Sequence, residues 1–295
     1  MVEKLKLYFA WRLMNPEVGH AEIEKEYADL LAKYGQDALE RCEGCVDEVL
    51  PEGFEREFRE RQIKILTIWD SDFPGKVTEL LNPPRLLFFK GEDLLKDRIF
   101  FAVVGTRNPT TAGKKGTVKL IEKIREISLS INKEMVIISG FARGIDTVAH
   151  RASLDNKLKT VAVIPEDISW ECDGPRKDLY RRIIREGTVI SEWYGKRFGS
   201  YLYILRNELL VSLADIIIVV ESGDVGGSIY TARFAKKMKK PLITFSKGFF
   251  DECAEGGRKL IKDIGAISLL SPKDLEEVLI NEIEKIDNLS GGGCF

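Results

Sequence analysis

This 295-residue chain shows two patterns of apolar and polar residues, one in its N-terminal part and another in the rest. Up to about residue 61, apolar side chains recur at helical spacing, as at Leu5, Phe9 and Leu13, which predicts short amphipathic helices. Beyond residue 98, continuous apolar runs alternate with segments of helical periodicity. The runs predict strands near residues 99–104, 135–139, 160–164, 188–191, 215–221, 241–245 and 266–269. Because strands that alternate with helices form a mostly parallel sheet covered on both faces, the predicted fold class is α/β.

Helices complete this pattern in both parts of the chain. Those of the α/β part are predicted near residues 112–130, 145–155, 176–186, 206–213, 228–239, 257–263 and 272–286. In the N-terminal part, Pro16 and Gly19 separate a first helix from a second, which ends at Gly35. A third helix is predicted from about Gln36, and a fourth over residues 54–61.

Two further strands are predicted between these parts, at residues 63–70 and 86–91, where they serve as edge strands. The predicted organisation is a small helical domain over 1–61, lead-in strands and a linker over 62–98, the α/β domain over 99–287, and a flexible tail over 288–295.

Three strand-to-helix junctions combine glycine with polar side chains, after the predicted strands 99–104, 135–139 and 215–221. Helix N-termini carry free N–H groups that suit phosphate, and parallel strands end at one edge of the sheet. The junctions therefore predict a single anion-binding rim. Its candidate residues are Gly105, Thr106, Arg107, Ser139, Gly140, Arg143, Gly144, Gly226, Gly227, Ser228 and Thr231.

An aromatic and basic segment, Tyr201 to Asn207, adds a second kind of candidate chemistry. An aromatic ring beside a positive charge is how proteins hold single-stranded bases without sequence preference. Tyr203, Arg206 and Asn207 are therefore candidate DNA contacts. The alternative is that Tyr203 and Leu205 belong to the hydrophobic core.

Several stretches resemble one protein family in content, order and spacing. They are V-V-G-T-R-N-P-T at 103–110, S-G-F-A-R-G-I-D-T-V-A-H at 139–150, I-S-E at 190–192, R-N at 206–207, and V-V-E with G-S-I-Y-T-A between 219 and 232. The chain resembles the DNA-processing protein A family (DprA/Smf) over roughly residues 62–270.

This resemblance implies an extended Rossmann-like domain behind a front domain similar to the sterile alpha motif. It implies a protein that is not an enzyme, binds single-stranded DNA and helps to load the RecA recombinase, as in natural transformation. It also implies a homodimer built on the Rossmann-like domain, and Tyr203 as the aromatic residue that contacts DNA. We accordingly predict no catalytic residue, no metal site and no cofactor.

A competing hypothesis is a nucleotide-binding or nucleotide-hydrolysing enzyme that uses the same rim. The segment Gly226-Gly227-Ser228 with Thr231 resembles the P-G-G-x-G-T-x-x-E loop of the phosphoribohydrolases. Ala232 and Arg233 follow Thr231, so the glutamate that those enzymes use is absent. No G-x-G-x-x-G motif follows any predicted strand, which argues against a nicotinamide enzyme.

Three departures from the family pattern lie on the ligand side of the predicted sheet. Glu208 follows Arg206-Asn207 where the family has a second arginine. Residues 164–170 lack the glycines of the corresponding family loop, and Phe245-Ser246 replaces a P-G pair. These departures leave reduced DNA affinity or a changed ligand open as alternatives.

Structural alternatives also remain for the charged candidates. Arg107 has a loop salt bridge as its alternative role, and an Arg143–Asp146 pair has the spacing to brace the second junction. Asp146 is predicted to cap or orient, and His150 to pack and hydrogen-bond. His20 is predicted to be an inert loop residue.

The amino-acid composition limits how this chain could bind DNA, a membrane or a metal. The formal net charge is −2, so DNA binding requires a local basic patch rather than an overall positive field. No apolar run approaches the roughly 20 residues of a membrane helix, which predicts a cytoplasmic protein without membrane contact. Cys42 and Cys45 have metal-site spacing, but two further ligands are missing nearby, so helix-end thiols are the simpler interpretation.

Overall fold

The structure, a computed structural model, describes residues 3–15, 17–34, 50–95, 98–223, 226–245, 257, 259–269 and 272–291. Its strands are β1 (Lys64–Thr67), β2 (Leu86–Gly91), β3 (Ile99–Val104), β4 (Met135–Ser139), β5 (Lys159–Val163), β6 (Thr188–Ser191), β7 (Ile216–Val219), β8 (Leu242–Phe245) and β9 (Ile267–Leu269). Its helices are α1 (Glu3–Leu13), α2 (His20–Tyr34), α3 (Phe54–Glu60), α4 (Gly75–Thr78), α5 (Thr111–Ser130), α6 (Ile145–Asp155), α7 (Lys177–Glu186), α8 (Tyr201–Leu213), α9 (Gly227–Lys237) and α10 (Pro272–Gly291). A 3-10 turn, Gly174–Arg176, precedes α7, and a π-helical turn, Leu260–Ile264, precedes β9.

The strands of the described residues form one sheet in the order β1-β2-β6-β5-β4-β3-β7-β8-β9. All neighbours from β6 to β9 pair in parallel, whereas β1 and β2 extend the β6 edge in antiparallel fashion. The predicted mostly parallel α/β fold is confirmed, and the two lead-in strands lie at a sheet edge as predicted.

The central strands are buried on both faces, which explains their continuous apolar sequences. In β3, Phe100, Ala102 and Val104 pack into the core on one face of the sheet. Phe101 and Val103 point to the opposite face and pack against other helices. This double burial fixes the position of the junction that follows β3.

The N-terminal helices pack on the antiparallel edge of the sheet. Leu5 and Phe9 of α1 share a hydrophobic cluster with Phe88 of β2 and Ala162 of β5. This helical segment therefore shares its core with the sheet, and a domain boundary at residue 61 stays a prediction. The predicted third helix, with Cys42 and Cys45, lies outside the described residues.

Two helix boundaries differ from the sequence predictions. Helix α8 begins at Tyr201 rather than near Arg206, because the segment that precedes Arg206 carries no residue that breaks a helix. Helix α10 continues to Gly291, so residues 288–291 are helical and not part of a loose tail. No proline interrupts α10 after its first residue, and nothing else in its sequence stops it earlier. None of the described helices is both long and apolar enough to span a lipid bilayer.

Candidate nucleic-acid interface

The three predicted junctions converge at the carboxyl edge of the sheet. Strands β4, β3 and β7 are direct neighbours, and the chain order reverses at β3. A crevice opens at such a switch point. Here it forms a cleft of about 420 Å³. The predicted residues that line it are Gly105, Thr106, Arg107, Gly140, Tyr203, Arg206, Asn207, Gly226, Gly227, Ser228 and Thr231.

Glu221 closes the junction between β3 and α5. Its main-chain carbonyl accepts a hydrogen bond from Thr106 N (2.7 Å), and its carboxylate accepts one from Thr110 N (3.0 Å). The Thr110 hydroxyl accepts a further hydrogen bond from Gly113 N (3.0 Å) in the first turn of α5. Because the Glu221 carboxylate already occupies this helix start, the first junction does not offer the open phosphate-binding helix start that the sequence predicted. Glu221 is the acid of the V-V-E motif, and its presence there was the sequence signal for this interaction.

Asp146 similarly organises the junction between β4 and α6. Its carboxylate accepts hydrogen bonds from the main-chain N–H groups of Gly140 and Ala142, both at 3.2 Å. Of the two predicted roles, capping or orienting, Asp146 has the second, since it holds the turn and does not cap α6. These two N–H groups are used within the protein, so they do not contribute to the phosphate cradle that the sequence predicted.

Most junction glycines permit close packing of the protein against itself. Gly144 has φ +92°, and a Cβ there would collide with the main chain of Thr106 and Arg107. Gly226 differs, since a Cβ on it would meet no atom within 4 Å, while its φ of +134° still favours glycine. The open glycine is therefore at the start of α9. The other tight positions are Gly105, whose Cβ would press on Ile145 and Glu221, and Gly140, whose Cβ would press on Arg206.

Arg206 lies beneath the cleft as a structural cation. Its guanidinium donates to the carbonyls of Gly140 and Val163 (3.0 Å for Val163), and its Nε donates to Asn207 Oδ1 (2.9 Å). Burial lowers the pKa of Arg206, and the nearby Asp146 carboxylate opposes that shift. The predicted DNA contact by Arg206 is corrected, because the side chain is 7% exposed and its donors bind the protein.

Three predicted hydroxyl contacts also have partners inside the protein. Ser139 is fully buried and donates to the Val103 carbonyl (2.6 Å), so it cannot reach a ligand, and that prediction is wrong. Thr231 donates to the Gly227 carbonyl (2.9 Å), and the Ser228 hydroxyl is hydrogen-bonded to another serine. Ser228 and Thr231 still border the cleft, and their contact with a ligand stays a prediction.

Helix α9 presents the more accessible helix start. No side chain among the described residues caps its N-terminal N–H groups, in contrast to α5. Gly226 and Gly227 leave this end open toward the cleft. A helix N-terminus with unsatisfied donors and the positive end of the helix dipole favours an anion.

Arg107 and Tyr203 form the exposed part of the cleft. The guanidinium carbon of Arg107 lies 5.7 Å from the centroid of the Tyr203 ring, a cation–π contact across two elements. Tyr203 is 45% exposed, so the alternative that it belongs to the core is wrong. Arg107 and Arg143 are exposed, whereas the Asp146 carboxylate is buried and accepts from main-chain N–H groups of the described turn. The proposed Arg143–Asp146 brace is therefore absent there.

A larger groove of about 980 Å³ continues from Arg107 and Arg143 between α5 and α6. Gly144 lies at its floor, and Lys114, Arg151 and Arg176 add positive charge along its walls. Two acids, Glu122 and Asp155, also line it, and Asp155 pairs with Arg182 outside. The excess of basic side chains supplies the local patch that the net charge of the chain lacks.

Both histidines are neutral, and His150 is fully buried whereas His20 is half-buried. His150 Nδ1 is hydrogen-bonded to Thr160 Oγ1 (2.7 Å), and burial lowers the pKa of His150 to about 3. Its predicted packing role is confirmed. His20 is the first residue of α2 rather than a loop residue, and its Nδ1 accepts from Arg85 N (3.1 Å). Burial, reinforced by Arg197 and Arg85, lowers its pKa to about 3.

Two of the three departures from the family pattern, Glu208 and the 164–170 segment, lie within the described residues. Glu208 accepts a hydrogen bond from the Tyr230 hydroxyl (2.8 Å) and lies near Glu192, which follows β6. Burial, with the charge of Glu208, raises the pKa of Glu192 to about 8. In the 164–170 segment, Glu166 and Trp170 border a small pocket next to Arg206. Ser246 lies outside the described residues.

Comparison with known proteins gives these observations a context. A sequence profile described as DNA recombination-mediator protein A matches residues 64–280. The chain belongs to this family. It is 30% identical to the DNA processing protein DprA of Bacillus subtilis, over 75% of this chain and 73% of the relative. The identity is 32% to the DprA protein of Streptococcus pneumoniae, over 71% and 72%.

Solved structures of family members have the same architecture. The DNA processing protein A of Streptococcus pneumoniae aligns with a TM-score of 0.71 and 26% identity, over 93% of this chain and 97% of that protein. The Helicobacter pylori protein, described by its single-stranded DNA binding mode, aligns with a TM-score of 0.64 and 25% identity. That alignment covers 75% of this chain and 97% of the Helicobacter protein. The match confirms the family resemblance that the sequence motifs predicted.

Proposed function

We propose that this chain binds single-stranded DNA in the cleft and delivers it to a RecA-type recombinase. The observation that carries the proposal is the contact between the exposed Arg107 guanidinium and the exposed Tyr203 ring. This pair combines a side chain that can bind phosphate with a ring on which a base can stack, both at the mouth of the cleft. Membership of a recombination-mediator family, and the Helicobacter relative that binds single-stranded DNA, support the same function.

Each part of the cleft has a distinct task in this proposal. Arg107 forms a charge-assisted hydrogen bond to one phosphate, and the open start of α9 at Gly226 and Gly227 holds another. A base stacks on Tyr203, which selects for unpaired bases but not for their sequence. Arg143 and Asn207 are further proposed contacts, since each lines a cavity that also contains Arg107.

The proposal is for a binding protein rather than an enzyme. Ala232, fully buried, follows Thr231 in the segment where the related phosphoribohydrolase loop leads to a glutamate. The buried histidine near the cleft, His150, is neutral and hydrogen-bonded, so it is not placed for proton transfer. A cytoplasmic homodimer assembled through the α/β part is part of the same proposal, and light scattering of the full chain tests the dimer.

One titration tests the central proposal. Fluorescence anisotropy with labelled oligothymidylate, a mixed-sequence single strand and a blunt duplex of equal length separates the possible ligands. We expect tight binding to both single strands and much weaker binding to the duplex, with all affinities falling as salt rises. Equal affinity for the blunt duplex would contradict the proposal. Saturable binding of a free mononucleotide without strand binding would favour the competing nucleotide-binding hypothesis.

A further inference from the structure

Beside the cleft, a group of exposed apolar side chains has no role in the site described so far. Phe198 is 82% exposed, and Tyr201 and Ile204 are 46% and 42% exposed. They recur every third residue across the loop that leads into α8 and its first turn. Large apolar side chains that cluster on a surface at this exposure mark a contact site.

The loop that carries Phe198 is firmly anchored. The neighbouring guanidinium of Arg197 donates to the carbonyls of Leu13 (2.7 Å) and Val18 (2.9 Å) and lies 4.7 Å from the Trp193 ring centroid. Phe198 therefore projects from a fixed backbone, and its exposure does not follow from a loose loop.

The ring of Tyr201 is also held in place. Gly199 has φ +129°, and a Cβ on it would lie 2.7 Å from the Tyr201 ring. A side chain at position 199 would therefore collide with this ring, and only glycine permits the contact. An aromatic ring that is already held in place loses little conformational entropy when a ligand stacks on it.

We propose that Phe198 and Tyr201 extend the single-stranded DNA site as a second stacking surface, which takes bases that leave the cleft past Tyr203. The inference rests on the proposed function. Tyr201 and Tyr203 share the first turn of α8, about 5–6 Å apart along the chain, but they point to nearly opposite sides of the helix. A strand stacked on Tyr203 thus crosses the exposed start of α8 to reach Tyr201 and then Phe198.

Charge favours a nucleic acid over an apolar protein partner. The segment from Trp193 to Leu205 contains Lys196 and Arg197 and no acidic residue, although the whole chain has a net charge of −2. Lys196 is exposed beside Phe198. Aromatic rings interleaved with positive charge are the composition that binds single strands.

The test compares oligonucleotide length and base content across variants of the full chain. Anisotropy is measured with oligothymidylates of about 5 and about 20 nucleotides, and with a 20-unit strand whose outer positions are abasic. We expect Phe198→Ala to weaken binding of the long strand by roughly fivefold or more, since stacking contributes about 1–3 kcal/mol per base. Binding of the short strand and of the partly abasic strand should not change. Phe198→Tyr should restore long-strand affinity.

Leu129→Ala is the matched control, because Leu129 is an exposed apolar residue (63%) in the last turn of α5 and not on α8. Unchanged long-strand affinity in Phe198→Ala would overturn the inference while leaving the proposed function intact. The inference is also overturned if Phe198→Ala leaves DNA binding unchanged but lowers the molar mass of the assembly measured by light scattering. The apolar face would then contact a second copy of the chain. If the unaltered chain binds no single strand at all, the proposed function and this inference both fail.

Discussion

The two arginines nearest the cleft, Arg107 and Arg206, differ completely in what surrounds them. Arg107 is exposed, and its guanidinium faces the Tyr203 ring. Arg206 is buried, and its guanidinium binds two main-chain carbonyls beside Asp146. Both arginines belong to motifs of one family, yet one is exposed at the mouth of the cleft and the other is buried beneath it. Proximity to a binding site therefore does not by itself indicate contact with the ligand.

The largest effect in this comparison is expected from Arg206→Met. Removing the guanidinium leaves the Asp146 carboxylate buried without its cation, and the carbonyls of Gly140 and Val163 without their donor. Each buried carbonyl that loses its donor costs about 1–3 kcal/mol, so the two together should cost about 2–6 kcal/mol. Chemical denaturation should show a loss of that size in the free energy of unfolding. A variant with unaltered stability but weakened DNA binding would mean that Arg206 contacts the ligand after all.

The next effect is expected from Tyr203→Ala. Because the ring is exposed and supports no core, its loss should leave the melting temperature nearly unchanged. Single-strand affinity should fall by about 1–3 kcal/mol, the value of one stacked base. Tyr203→Phe is the control, since it keeps the ring and removes only the hydroxyl. Equal losses for both variants would exclude stacking as the reason.

A pH-dependent effect concerns Glu192, a buried acid near Glu208 of α8. Its folded-state pKa of about 8 lies above the ordinary value of 4.5, chiefly because of burial. The folded state therefore holds a proton that the unfolded state releases, and the free energy of unfolding should fall as pH rises from about 4.5 to about 8. Glu192→Gln should flatten that slope. An identical pH profile for the variant would show that other groups cause it.

The sequence predicted the elements of the sheet closely because double burial leaves a strong apolar signal in each central strand. It also predicted which junctions meet, since parallel strands end at one edge. It did not predict which polar groups remain available to a ligand. Glu221 closes the α5 helix start from just beyond β7, over one hundred residues later in the chain. Such pairings depend on tertiary packing, and the V-V-E motif contains the acid without showing which helix start it reaches.

The burial of individual residues explains the remaining differences between the predicted and the observed site. Ser139 and Arg143 occur four residues apart in one motif, but the first ends a buried strand and the second lies on the exposed turn. The exposed aromatic residues Phe198 and Tyr201 carried no family motif, so sequence comparison did not select them. Their exposure became visible only in the folded chain.

The most direct test of the account is the salt dependence of single-strand binding by Arg107→Ala. Hydrogen bonds to charged groups contribute roughly 1.5–3 kcal/mol, so affinity should fall about ten- to a hundredfold. The slope of log affinity against log salt should decrease by about one phosphate contact. The melting temperature should barely change, because the side chain is exposed. Unchanged affinity and salt slope with a lower melting temperature would contradict the account, since Arg107 would then brace a loop and not bind DNA.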